Sequence, residues 1–225
     1  MYDLFGYCPQ TFQGADILAT QGKEPYLVFM PDFIGSERAG KHEWFLPGAD
    51  KSQFQELLAY ITSEQMMAQI HETVSTLRSD MKYKHVKRWA GVGFCWGSKG
   101  ISLITAKGDK SLLDVAAHTS PSRLVPDEAK TITVPTMLLA SNGEDESLVK
   151  SYVDNLKGEK YLERFDEVHG WMSARYDQSH PHIRLRLLFV PVLKVCCRAK
   201  LDEERPRKEY ERGYSLVLGW LAKYL

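Results

Sequence analysis

The segment WAGVGFCWGSKG, residues 89–100, decides the fold. Trp89 to Phe94 is a short apolar run that reads as a buried strand, and it stops at Cys95. Ser98 to Ala106 then reads as a short helix. Between them, Gly93-Phe94-Cys95-Trp96-Gly97 has the spacing of a nucleophile elbow, with a thiol in place of the usual serine. A strand that turns this sharply into a helix has no room for side chains at the flanking positions. It holds the central residue in a strained conformation above the sheet edge. The helix start behind it points N–H groups at an anion and so favours a thiolate.

Outward from this turn, strands alternate with helices. Leu112–His118, Val134–Ala140 and the segment YLERFDEV (161–168) read as further strands, and YLVFMPDF (26–33) as an earlier one with its loop. Met66, Ile70, Val74, Leu77 and Met81 recur at helical spacing. Ser147–Leu156 reads as a helix, and Tyr210, Tyr214, Val217, Leu221 and Tyr224 share one face of a last one. The stretch from Gly35 to Gly48 reads as a linker. This alternation predicts an α/β fold, a mostly parallel sheet with helices on both faces. In such sheets chemistry gathers at the carboxyl ends of strands, where Cys95, Asp145 and His169 are all expected.

Composition narrows the function. The 225 residues carry 29 Lys+Arg and 29 Asp+Glu, a formal charge of zero, with 44% hydrophobic residues. That argues for one globular domain spanning 1–225 and offers no general field for nucleic acid or an anionic membrane. The N-terminus lacks the basic and apolar regions of a signal peptide, and the most apolar stretch, Leu187–Val195, is too short to span a bilayer. A cytoplasmic monomer acting on a small molecule is the expectation. Four cysteines (Cys8, Cys95, Cys196, Cys197) form no CxxC pair, and His180 and His182 have no partner at ligand spacing, so no metal or other cofactor is expected.

Each candidate also has a purely structural reading. Cys95 could be a small core residue, Asp145 a helix N-cap for the segment at Glu146, and His169 a strand cap. Their order, Cys then Asp then His, and their shared position at strand ends favour catalysis. His118 ends a strand and is read as lining the cleft.

The residues resemble the dienelactone hydrolase family, the carboxymethylenebutenolidase-like branch of the α/β-hydrolases in its fungal form. YDLFGYCPQTFQGADILA, YLVFMPDFIG, GVGFCWGSKG, VPTMLLASNGEDE, HGWMSAR and KEYERGYSLVLGWLAKYL carry the resemblance. It implies an α/β-hydrolase fold and a Cys–His–Asp triad that cleaves small esters or lactones through a thioester. Cys95 would be the nucleophile, His169 the general base and Asp145 its orienting group. The backbone N–H groups of Trp96 and Leu4 would form the oxyanion hole. Asp3 falls where the family places an acidic residue against the resting thiol, and Arg175 near a position that binds a substrate carboxylate. Ser98 stands where relatives commonly have glycine.

Two departures from the family pattern set further expectations. The resemblance implies a strand ahead of Asp3, so the sheet is expected without its N-terminal strands. Residues 178–200, of composition HPHIRLRLLFVPVLKVCC, form an atypical insertion, read as a retained intron or a faulty gene model. The alternative function is therefore a catalytically inactive α/β-hydrolase-like protein. A thiol redox protein pairing Cys95 with Cys8 is a third reading.

Overall fold

The computed structural model describes residues 1–173, 201 and 203–225. The expected insertion at 178–200, with His180, His182, Cys196 and Cys197, lies outside them, as does Arg175. Four strands, β1 (Ala90–Phe94), β2 (Val115–Thr119), β3 (Thr136–Ala140) and β4 (Lys160–Arg164), lie in the order β1-β2-β3-β4, all parallel. Every residue of β2 and β3 is buried, as continuous apolar strands covered on both faces require. β4 alternates exposed and half-buried positions, and its charged residues Lys160, Glu163 and Arg164 suit an edge strand.

Parallel neighbours need crossovers, which are α4 (Trp96–Thr105), α5 (Pro126–Ala129) and α6 (Glu146–Asn155). Strand alternation sends Val115 and Ala117 to one face of the sheet, with Met137 and Leu139. There they meet α1 (Pro9–Thr20) and α7 (Glu204–Tyr224) through Leu18, Tyr210, Tyr214, Val217 and Leu221. Ala116 faces the other way, into a core built from α2 (Ser52–Ile61), α3 (Glu64–Ser79) and α4 through Ile61, Met66, Ile70, Trp96 and Ile104. The α/β-hydrolase architecture expected from the sequence is the one observed.

The differences have local causes. The stripe read from Met66 to Met81 ends at Ser79, because the Asp80 side chain accepts the Lys82 N–H and starts a 3-10 turn; Met81 is 70% exposed. The strand read at 26–33 joins no sheet pairing, since no described strand lies beside it. Between it and β1 runs a cavity of about 810 Å³, lined by Tyr26, Val28, Met30, Ala90 and Val92. At its inner end Met1 sits beside β1 in strand fashion: its amino group donates to Val92 O, and Phe94 N–H donates to Met1 O at 3.0 Å. Among the described residues, no helix is long and apolar enough to cross a membrane.

Candidate active site

β1 delivers Cys95 into the turn before α4 with φ 51° and ψ −113°, a conformation that costs a non-glycine residue about 1–3 kcal/mol. Such strain persists only where the surroundings impose it. A Cβ on Gly93 would sit 2.6 Å from the Ser98 backbone, and one on Gly97 would sit 2.3 Å from Met1 O, so neither position admits a side chain. Ser98 puts its hydroxyl to use here, donating to Gly93 O at 2.9 Å across the elbow. Cys95 N–H donates to Thr119 O at 3.1 Å, and Ser122 N–H donates to Cys95 O at 3.2 Å, which fixes the turn from the neighbouring strand end.

His169 follows β4 in the loop His169–Ser173, near enough to Cys95 for the sulfur to raise its pKa. Its Nδ1 lies 2.6 Å from Glu144 Oε1, and the Glu144 side chain is 6% exposed. The same carboxylate accepts the Ser141 hydroxyl at 2.9 Å and the Ser141 backbone N–H, so its orientation is set before it meets the imidazole. Burial alone lowers the His169 pKa. The influence of the Cys95 sulfur and the bond and charge of Glu144 outweigh it and push it up to about 10. Close approach of the two loops depends on Gly143, where a Cβ would fall 2.9 Å from His169 Cβ.

Asp145, expected beside His169, is placed elsewhere. It is the N-cap of α6, with Oδ1 accepting the Leu148 N–H at 2.7 Å and the Ser147 hydroxyl at 2.6 Å. These bonds, Ser147 first, hold its carboxyl below the usual range. The structural reading of Asp145 as a cap describes its position, and the contact with the imidazole passes one residue back to Glu144. The sequence held one signal for this: Asp outranks Glu as an N-cap, so the Asp of an adjacent Glu-Asp pair turns back to its own helix and leaves the Glu free.

The amino-terminal turn completes the site. Asp3 is 2% exposed; Oδ1 accepts the Phe5 N–H at 2.9 Å and Oδ2 accepts the Ser173 hydroxyl at 2.7 Å. Leu4 O accepts the Gly40 N–H at 2.8 Å. The N–H groups of Leu4 and of Trp96, the first residue of α4, are not taken up by any backbone hydrogen bond of the described loops and turns. Met1 and Tyr2 cross directly over Gly97, which brings this segment against the start of α4.

The dienelactone hydrolase family model matches residues 1–163, which take in the elbow at Cys95 and the loop after β3. The chain belongs to the dienelactone hydrolase family. It is 30% identical over 195 residues to an AIM2 family protein of Schizosaccharomyces pombe, covering 81% of this chain and 73% of that one. A carboxymethylenebutenolidase homolog of Xenopus tropicalis is 32% identical over 96 residues, 42% of this chain and 35% of the other. The dienelactone hydrolase of Anabaena variabilis shares the fold, with a TM-score of 0.65 at 12% identity over 100% of this chain and 83% of that one.

In this dienelactone hydrolase family member, His118 is fully buried behind the elbow rather than lining an open cleft. Neither of its ring nitrogens has a hydrogen-bond partner, and burial lowers its pKa to about 4. Cys95 is a free thiol, and the Cys8 thiol donates to Phe5 O at 3.6 Å. No group of three potential metal-ligating side chains occurs among the described residues. Residues absent from the sequence reading also shape the site. Ser120, at the end of β2 with φ 42°, accepts the Gly170 N–H at 3.0 Å, and the Tyr214 hydroxyl donates to Met172 O at 3.1 Å. Together they hold the histidine loop, and short-range spacing carries no trace of either contact.

Proposed function

We propose that this hydrolase cleaves small esters or lactones of the dienelactone kind through a thioester on Cys95, with His169 and Glu144 completing the triad. The observation that carries the reading is the chain of contacts from the strained Cys95 through His169 to the buried Glu144 carboxylate. In the proposed step the Cys95 sulfur reacts as a thiolate, favoured by the start of α4 and by the imidazolium. His169, with its pKa raised to about 10, carries the proton for the departing oxygen.

The sulfur bonds to the carbonyl carbon, and the carbonyl electron pair moves onto oxygen. The Trp96 and Leu4 N–H groups hold that oxyanion, aided by the positive end of α4. The carbonyl re-forms, the C–O bond to the alkoxide or enolate breaks, and His169 gives its proton to the departing oxygen. Water then attacks the thioester, its proton passes to His169, and the carboxylic acid leaves as the thiolate re-forms. Glu144 keeps the imidazole in one tautomer and balances its charge. A thiol of this kind suits activated esters and lactones better than amides.

Family membership and the Anabaena fold likeness support hydrolysis; the geometry above supports the choice of residues. Turnover of an activated aryl ester tests the reading. The parent chain is expected to hydrolyse it, and Cys95→Ala to lose the activity entirely. A Cys95→Ala protein with parental turnover would sink the proposal.

A further inference from the structure

We propose that Ser173 is a positioning residue that locks the oxyanion turn to the histidine loop. The inference rests on the reading of Cys95, Leu4 and His169 just given. The loop bearing His169 comes from the carboxyl end of β4, while the turn bearing Leu4 comes from the other end of the chain. Among the described residues, a hydrogen bond between side chains joins them, from the Ser173 hydroxyl to Asp3 Oδ2 at 2.7 Å, across 170 residues. Both partners are buried, Asp3 at 2% and Ser173 at 3% exposure. The other oxygen of the same carboxylate accepts the Phe5 N–H at 2.9 Å, immediately after Leu4. The Asp3 carbonyl accepts the Gly6 N–H at 3.2 Å, which closes the turn.

Asp3 thus fixes the plane of the Leu4–Phe5 peptide region with one oxygen and is itself aimed by Ser173 through the other. A buried carboxylate needs such donors to remain oriented. Rotation of that carboxylate releases the turn that presents the Leu4 N–H, at a distance where small misplacements weaken a developing-charge contact steeply. Ser173 acts through Asp3, the partner its hydroxyl meets. The rest of the histidine loop has its own anchors, Ser120 to Gly170 and Tyr214 to Met172, so loss of the Ser173 hydroxyl leaves His169 in place.

The test separates oxyanion stabilisation from thiolate reactivity. Single-turnover acylation of Cys95 by an activated aryl ester needs the oxyanion site, whereas alkylation of Cys95 by iodoacetamide passes through no oxyanion. Ser173→Ala is expected to slow acylation by about 10–100-fold. The alkylation rate and its pH profile are expected to match the parent. Ser173→Thr, which keeps the hydroxyl, is expected to recover most of the acylation rate, and Ser173→Val, of the same shape without it, is not. The Thr and Val pair decides the matter if Ser173→Ala melts below the assay temperature. Equal acylation by the Thr and Val variants, or parallel loss of acylation and alkylation in Ser173→Ala, would overturn the inference. A parent chain that forms no acyl adduct on Cys95 would instead remove the mechanism on which it rests.

Discussion

Glu144 and Asp145 are adjacent and carry the same charge, yet the fold gives them unrelated work. The Asp145 side chain is spent on the first turn of α6, while Glu144 is buried against Ser141 and His169. Glu144→Gln is therefore expected to lower kcat by about 10²–10⁴-fold, because the amide no longer balances an imidazolium and can stabilise the wrong tautomer. Asp145→Asn is expected to leave kcat unchanged; a large loss in that variant alone would return the orienting role to Asp145. Protonation of His169 sets a second expectation. Its pKa lies above the unfolded value of 6.5, so its contribution to stability is complete below about 6.5 and disappears as pH rises through about 10. Denaturant melts should show a decline over that alkaline range that Glu144→Gln makes shallower. The elbow was legible because glycine at both flanks is a steric requirement written directly into short-range spacing. The choice between Glu144 and Asp145 was not, since three consecutive acidic residues, Glu144 to Glu146, present no periodicity and only the capping preference separates them.

Elements follow the same division between local and non-local causes. β2 and β3 announced themselves as continuous apolar runs, and α7 by its single buried face, because burial on a regular element imprints its period on the sequence. α1 escaped because Pro9–Thr20 interleaves Gly14 and polar residues, and its packing is a contact with a distant helix: a Cβ on Gly14 would meet the Tyr214 hydroxyl. The segment 26–30 has strand composition without a strand neighbour, so pairing, which composition does not encode, decides its state. Within β2, His118 supplies a prediction of its own. Its folded pKa of about 4 lies below the unfolded 6.5, so the unfolded chain binds more protons between those values and stability rises with pH across that window. The full span corresponds to roughly 3 kcal/mol at about 1.4 kcal/mol per pKa unit. His118→Met, similar in volume and without titratable nitrogens, is expected to flatten that slope. An unchanged slope would place the acid sensitivity elsewhere.

For the whole molecule, the sheet is strongest in its middle and weakest at β1's outer edge, where the cavity of about 810 Å³ separates it from the segment 26–30. Hydrogen exchange is expected to find the β2 and β3 amides slowest and those of Val28, Phe29 and Met30 among the fastest outside the loops. The Phe94 amide, bonded to Met1 O, should be protected, and uniform exchange across β1 and 26–30 would contradict that description. At the carboxyl ends of the strands, Cys95 is tied to Thr119 and the histidine loop to Ser120 and Tyr214. The proposed mechanism turns on one covalent event at Cys95. Rapid quenching of the chain with an activated aryl ester, followed by mass spectrometry of its peptides, reads that event directly. One acyl group on Cys95 is expected, formed in the first turnover and absent in His169→Ala; an acyl group elsewhere, or steady ester turnover with Cys95 unmodified at every quench time, would contradict the thioester mechanism.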